Sequence, residues 1–198
     1  MRIICVNTGN KFSEWYVDNL KHMIDNFSGL QYEEFVVIRD DEYEGVFNKL
    51  LMFDRYRDGQ NIYFDLDIII TGDCNNLVRK NFTLCHAWWR KPFHTPLNSS
   101  IMSWSGDYSH IYKGFEKDPN YFMIEYSRGI DQFIYEKFAG TFNQYLRSDK
   151  YCSYEFIEQK EKINVIDYNV YLFNQSYETM LNPKILPPQL GEFLLQYQ

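Results

Sequence analysis

The chain predicts an α/β fold with a mostly parallel sheet covered by helices, and three observations carry that prediction. Up to Ile70, short β-branched runs alternate with stretches whose apolar residues recur at three- and four-residue steps. Strand, helix, strand, helix, strand is the order that builds such a sheet. Apolar residues make up 45% of the chain and aromatics 19%, which excludes a disordered protein. At 198 residues, with no repeat, low-complexity tract or Pro/Gly/Ser-rich linker, the sequence reads as one domain over 1–198 with a substantial core.

The elements follow in order. Ile3–Val6 reads as a first strand closed by the turn-rich "NTGNK". In "SEWYVDNLKHMIDNF", Ser13 is the expected N-cap, and Trp15, Val17, Leu20, Met23, Ile24 and Phe27 form the apolar stripe of a helix. "YEEFVVIRDD" is a second strand with an acidic end. "VFNKLLMFDRY" is a second helix, with Val46, Leu50, Phe53 and Tyr56 at helical spacing. "NIYFDLDIII" then reads as one buried strand. Farther on, "TLCHAWW" and "SSIMSW" read as strands, "IDQFIYEKFAG" as a helix, and "IEQKEKINVIDYNVYLF" as two short strands joined by a turn. In open α/β sheets ligands bind beyond the carboxyl ends of the strands. The polar ends "NTG", "RDD" and "DLD" are therefore expected to converge on one crevice.

Charge and cysteine usage narrow the function. A net charge of −7 argues against a general nucleic-acid binder, which would show a basic face. No apolar run approaches the ~18 residues of a membrane span, and "MRIICVNTG" reads as a strand rather than a signal peptide. Cys5, Cys74, Cys85 and Cys152 are scattered without metal-like spacing, which reads as free thiols in a cytoplasmic protein. His86 and His94 in "CHAWWRKPFH" match no compact metal motif. The basic-aromatic "WWRKPF" is most simply an exposed loop, with contact to an acceptor or a phosphate as its alternative.

The chemistry concentrates in "IYFDLDIIITGDCNNL", where Asp65 and Asp67 interrupt a strongly apolar run. Alternate strand residues point to one face, and two carboxylates so close do not both ionise cheaply. A divalent cation resolves this. Mg²⁺ takes one or two protein carboxylates together with substrate phosphates, and Mn²⁺ suits the same oxygen donors. The spacing thus points to a metal bridging the protein to a diphosphate. A haloacid-dehalogenase phosphatase reading of "FDLD" fits less well, because the motif is not on the first strand and is followed by Ile68 and Ile69.

"YFDLDIIITGDCNNL" resembles the D-x-D segment of retaining glycosyltransferases of the glycogenin-like group (family 8) and their bacterial and phage relatives. Four further segments resemble that family's motifs in order: "IICVNTGNKF", "VFNKLLMF", "NSSIMSW" and "GIDQFIYEKF". The resemblance spans roughly Met1 to Phe138. It implies the GT-A fold, Rossmann-like, with helices on both faces of the sheet, and transfer of a sugar from a nucleotide-diphosphate donor to an acceptor the sequence does not identify. It implies that Asp65 and Asp67 hold Mn²⁺ or Mg²⁺, with Asp65 also near the donor ribose. Thr8 and Gly9 would lie near the nucleoside, where glycine permits close approach. Lys49 would face the diphosphate, Asn98 and Ser99 would line the sugar pocket, and Asp131 and Gln132 would bond the sugar below the reacting carbon.

Two departures are visible. "GIDQ" carries Ile130 between the Gly129 and Asp131 that are adjacent in the family. The family's late "H-x-x-G-x-x-K-P-W" segment, which supplies a metal-binding His and a phosphate-contacting Lys, has no counterpart; Asn174 stands near the place of the His and Lys184 is a distant substitute for the Lys. The expectation is a metal-dependent, retaining glycosyltransferase, with a uridine donor favoured and slow turnover. Its alternative is a nucleotide-sugar-binding or assembly protein of the same fold with lost or weak transfer.

Overall fold

The structure, a computed structural model, describes residues 1–91, 94–159, 167–174 and 176–196. Its centre is a six-stranded sheet built from β1 (Arg2–Val6), β2 (Glu34–Ile38), β3 (Gln60–Phe64), β5 (Thr83–His86), β6 (Leu97–Ser105) and β7 (Asn143–Tyr145), in the order β2-β1-β3-β6-β5-β7. β1 pairs parallel with β2 and β3, and β5 pairs parallel with β7, whereas β6 runs antiparallel to both of its neighbours. One strand therefore opposes five, and the sheet is mostly parallel. Because β6 is reversed, its first residues lie at the edge where the other strands end.

Helices cover both faces. Along β1 the side chains alternate: Ile3 and Cys5 enter the core beneath α1 (Glu14–Phe27), while Ile4 enters a second core beneath α2 (Leu51–Arg55), α3 (Ser109–Glu116) and α5 (Ile130–Lys137). Burial on both faces is what a parallel sheet requires, and it explains the near-continuous apolar runs of β1 and β3. The predicted stripe of α1 holds, with Val17, Leu20, Met23 and Ile24 buried. Ser13 has the extended backbone of an N-cap but makes no side-chain capping bond.

The sequence reading changes in three places. "NIYFDLDIII" is not one strand: β3 ends at Phe64, and β4 (Ile68–Ile70) joins a separate three-stranded sheet with β9 (Val170–Leu172) and β8 (Tyr151–Ser153). The break falls on Asp65–Asp67, where the Asp65 amide donates to Ser100 O (2.9 Å) and Asp67 O accepts from the Phe173 amide (2.8 Å). The chain thus hands over from one sheet to the other at the aspartates. "VFNKLLMFDRY" is a 3-10 turn over Gly45–Leu50 that widens into the short α2. In "IEQKEKINVIDYNVYLF", the first expected strand begins inside α6 (Tyr154–Gln159) and otherwise lies outside the described residues, while the second is β9.

Two further α-helices, α4 (Pro119–Glu125) and α7 (Pro188–Gly191), and 3-10 turns at Asn75–Leu77, Arg147–Asp149 and Tyr177–Leu181 complete the described elements. All four cysteines are buried and unpaired. Among the described residues, no helix is long and apolar enough to cross a membrane.

Candidate active site

A cleft of about 300 Å³ opens along the carboxyl edge of the central sheet. It is lined by Val6 at the end of β1 and Thr8 after it, Asp65 and Asp67 after β3, Asn98, Ser99 and Ser100 at the start of β6, and Arg90 after β5. Neighbouring strands are ~4.8 Å apart, so the three steps from β1 to β5 span roughly 14 Å. Lys49, Asp131 and Asn174 close the sides. "RDD", after β2, contributes no lining residue. Instead Arg39 pairs with Glu14, Asp40 with Arg55, and Asp41 accepts from Asn48.

Asp65 lies at the middle of the cleft. Its Oδ1 is 2.6 Å from Lys49 Nζ, and it also accepts from Tyr63 OH. Both partners of the ion pair are largely buried, at 11% and 14% exposure. Asp67 has no such partner among the described residues. It is 5% exposed, and loss of hydration, followed by the nearby Asp65 charge, pushes its carboxyl up to about 7, against the opposing pull of Lys49 and Lys11. Burial, with the Asp65 charge next, also holds the Tyr63 phenol well above its usual value.

Thr8 is positioned by a residue the sequence reading passed over. Asn48, fully buried, donates from Nδ2 to Thr8 Oγ1 (3.2 Å), Asp41 Oδ1 (3.0 Å) and Tyr43 O (2.6 Å), and its Oδ1 accepts from the Tyr43 amide (2.8 Å). One amide thereby fixes the turn after β1, the end of β2 and the 3-10 turn that presents Lys49. Gly9 has φ +65°, a backbone region that favours glycine, but it is exposed and does not line the cleft.

At the other end, the β5–β6 register jumps from Leu84↔Met102 to Cys85↔Asn98. Such irregularities free ladder groups and re-aim side chains. The Ser99 amide donates to Asp131 Oδ1 (3.0 Å), and the Ser100 amide to Asn98 Oδ1 (2.9 Å). Asp131 Oδ2 accepts from Arg90 Nη2 (3.1 Å), and the same guanidinium also donates to Leu97 O. Asp131 enters the cleft because Gly129 turns the chain with φ +109°, where a Cβ would meet Val46 Cγ2 at 3.1 Å, and because Ile130 is buried as an anchor at the start of α5.

Gln132 does not reach the cleft. Adjacent helix positions are about 100° apart, and Gln132 Nε2 instead donates to Glu136 Oε1 (2.7 Å) one turn on. Asn174, delivered by β9, does reach it, and its Oδ1 accepts from Asn98 Nδ2 (3.1 Å) and Ser100 Oγ (3.0 Å). Lys184 is exposed and outside the lining; the cations present are Lys11, Lys49, Arg90 and Arg128. Of these, Lys11 lies over the rings of Phe12 (4.7 Å) and Tyr177 (4.4 Å). Lys11 and Arg90 belong to segments singled out in the sequence, "NTGNKF" and "WWRKPF", but nothing in their spacing marked them as lining residues. Arg128 carried no signal at all.

Comparison with solved structures agrees with this architecture. The galactosyltransferase LgtC, solved in complex with donor and acceptor sugar analogs, superposes with a TM-score of 0.67 at 9% identity over 100% of this chain and 98% of its own. This is the GT-A glycosyltransferase fold. A glycosyltransferase involved in the glycosylation of the major capsid of PBCV-1 matches with a TM-score of 0.65 at 10% identity, over 98% of this chain and 99% of that one. The glycosyltransferase GlyE of Streptococcus pneumoniae TIGR4 matches with a TM-score of 0.62 at 10% identity over 96% of this chain, which spans only 63% of the length of GlyE. No protein-family model and no curated protein matches the sequence.

The donor set of the cleft suits a hard divalent cation. Two carboxylates two residues apart line the cleft, and one of them, Asp67, is buried without a direct ion-pair partner among the described residues. Among the described residues no cluster of three or more His, Cys, Asp or Glu side chains forms a closed cage. An ion here would therefore complete its shell with ligand oxygens, as Mg²⁺ commonly does.

Proposed function

We propose that this chain is a glycosyltransferase of the glycogenin-like (family 8) kind, taking a sugar from a nucleotide-diphosphate donor, most simply a uridine one, with Mn²⁺ or Mg²⁺ and with retention of configuration. The observation that carries the reading is the order of groups along the cleft. Thr8 stands after β1, the Lys49–Asp65 pair and Asp67 stand after β3, and Asn98, Ser99 and Asp131 gather at the start of β6. An extended donor laid along that line meets a nucleoside end, a charged middle and a polar sugar end.

Asp65 and Asp67 would hold the metal, which when bound supplies Lewis-acid stabilisation of charge on the leaving diphosphate. Lys49, Lys11 and Arg128 add positive charge around the same phosphates. Asn98 and Ser99 orient the sugar. A carboxylate has about four acceptor sites, so Asp131 can take sugar hydroxyls while holding Ser99 and Arg90. No side chain is required as a base if the acceptor attacks from the face the diphosphate leaves. Asn174 is the weakest link, because its oxygen already accepts from Asn98 and Ser100 and an amide binds metal less strongly than imidazole. Turnover is therefore expected to be slow.

The test is release of UDP from UDP-glucose, UDP-galactose and UDP-N-acetylglucosamine, with and without chelator, with the anomer of the first-formed product read by NMR. Metal-dependent release from at least one donor, with retained configuration, is expected. No release from any nucleotide sugar, with metal and saccharide acceptors present, would sink the reading.

A further inference from the structure

Asn48 is fully buried on the 3-10 turn Gly45–Leu50, next in sequence to Lys49. Successive residues of such a turn point about 120° apart. Lys49 therefore reaches Asp65, while Asn48 faces the segments that follow β1 and β2. Its Nδ2 lies within hydrogen-bond reach of four oxygens: Tyr43 O (2.6 Å), Asp41 Oδ1 (3.0 Å), Thr8 Oγ1 (3.2 Å) and Gly45 O (3.2 Å). Its Oδ1 accepts from the Tyr43 amide (2.8 Å). These neighbours fix which way the side-chain amide stands, because carbonyl and carboxylate oxygens only accept and a backbone N–H only donates.

A polarity follows for Thr8. An amide nitrogen does not accept, so towards Asn48 the Thr8 hydroxyl can only be the acceptor. Its own proton is left over, and the described residues offer it no acceptor. Thr8 is half-buried and lines the cleft, so that proton is satisfied from the cleft side. The rest of the turn is lightly held: Gly9 and Asn10 are exposed, and the next anchor is Phe12, packed edge-on against Tyr16 (5.0 Å).

We propose that Asn48 is a positioning residue for the nucleoside of the donor: by holding Thr8 Oγ1 it leaves the hydroxyl proton to be donated to a nucleoside oxygen, at a set distance from Lys49 and Asp65. The inference rests on the nucleotide-sugar reading and adds to it a residue that touches no ligand. It confines the role of Asn48 to the nucleoside. Lys49 has supports of its own, in the ion pair with Asp65 and in its buried neighbours Phe47, stacked on Phe115 (5.4 Å), and Leu50. Loss of Asn48 therefore frees the turn that carries Thr8 and leaves the diphosphate end in place.

The test compares UDP with inorganic diphosphate, each titrated calorimetrically with Mn²⁺, and with Mn²⁺ alone. Asn48→Ala should weaken UDP at least fivefold, and diphosphate and Mn²⁺ less than twofold. Thr8→Val, which keeps the shape and removes the hydroxyl, should do the same, while Thr8→Ser should stay within twofold of the parent throughout. Asn48→Ala combined with Thr8→Val should bind UDP within twofold of the weaker single variant, because both changes remove one contact. If Asn48→Ala lacks the near-ultraviolet circular dichroism of the parent, Asn48→Ser, one bond too short to reach Thr8, replaces it under the same criteria. Equal losses for UDP and for diphosphate or Mn²⁺ would reveal only a loosened turn and overturn the proposal. So would unchanged UDP affinity in the Asn48 variant or in Thr8→Val, losses that multiply in the double variant, or failure of both Asn48 variants to fold. Failure of the parent to bind UDP overturns the glycosyltransferase reading instead, and is read from the parent titration alone.

Discussion

The middle of the cleft, after β3, and its β6 end hold their carboxylates by different means. After β3, Lys49 and Tyr63 converge on Asp65 from the core side, so a buried ammonium neutralises a nearly buried carboxylate. At the β6 end, Asp131 is held by a guanidinium and by a backbone amide freed where the β5–β6 register breaks, and the Arg90–Asp131 pair is more open, at 28% and 17% exposure. Asp67, two residues on from Asp65, has neither kind of partner among the described residues. Among the carboxylates that line the cleft, Asp67 is thus the one without a direct ion-pair partner among the described residues, whereas Asp65 and Asp131 each pair with a cation.

The largest expected effect comes from breaking the more buried pair. Lys49→Ala strands Asp65 without its counter-charge, and removal of one partner from a buried pair costs about 3 kcal/mol. Denaturant unfolding should show a loss of that order, and UDP binding should fall with it. If Lys49→Met combined with Asp65→Asn restores stability, the loss came from stranded charge rather than from packing. At the β6 end, Asp131→Ala leaves Arg90 and the Ser99 amide without their acceptor, but both are nearer to water. About 2 kcal/mol is expected in the same assay. A loss larger than that of Lys49→Ala would reverse the comparison.

Asp67 gives a smaller effect of opposite sign. Its folded carboxyl titrates at about 7 against an ordinary 3.8, so between these values the folded chain keeps a proton that the unfolded chain has lost. Stability from this group is full below the unfolded value and is lost as pH rises through the folded one. Metal-free Asp67→Asn should therefore match the parent near pH 4 and exceed it near pH 8, by roughly 1–2 kcal/mol. An advantage that is equal at both pH values would mean the carboxylate is not the cause.

The smallest effect is at Asn174. Replacement by His removes the oxygen that Asn98 and Ser100 bond, yet offers a better metal donor, and Mn²⁺ affinity should rise about threefold, or roughly 0.7 kcal/mol. No gain in Mn²⁺ titration would show that Asn174 serves the Asn98–Ser100 bonds alone.

The same contrast governs what the sequence made legible. The β3 part is local: the D-x-D run stands out by itself, so Asp65 and Asp67 were named from the residues, while Thr8 and Lys49 came with the motif resemblance, and all four line the cleft. The β6 end depends on events no local pattern marks. A strand reverses, its register slips, and β9 carries Asn174 in from a separate sheet. Asn98, Ser99 and Asp131 were reached through motif resemblance, whereas Gln132, taken from the same motif, faces Glu136 instead. Asn48 and Arg90 went unassigned because an amide hub and a guanidinium brace are defined by partners distant in sequence, 40 residues for Asn48–Thr8 and 41 for Arg90–Asp131. The continuous apolar run through "FDLDIII" hid a change of sheet, since both halves are equally buried.

The central claim is that Asp65 and Asp67 hold a divalent ion against a nucleotide diphosphate. Calorimetric titration of UDP into the parent chain tests it most directly, once with Mn²⁺ and once in chelator, with Asp67→Asn alongside. The account predicts saturable binding at least tenfold tighter with Mn²⁺ in the parent, and a metal effect that largely disappears in Asp67→Asn. Equal affinity with and without metal in the parent, or a full metal effect surviving in the variant, would contradict it.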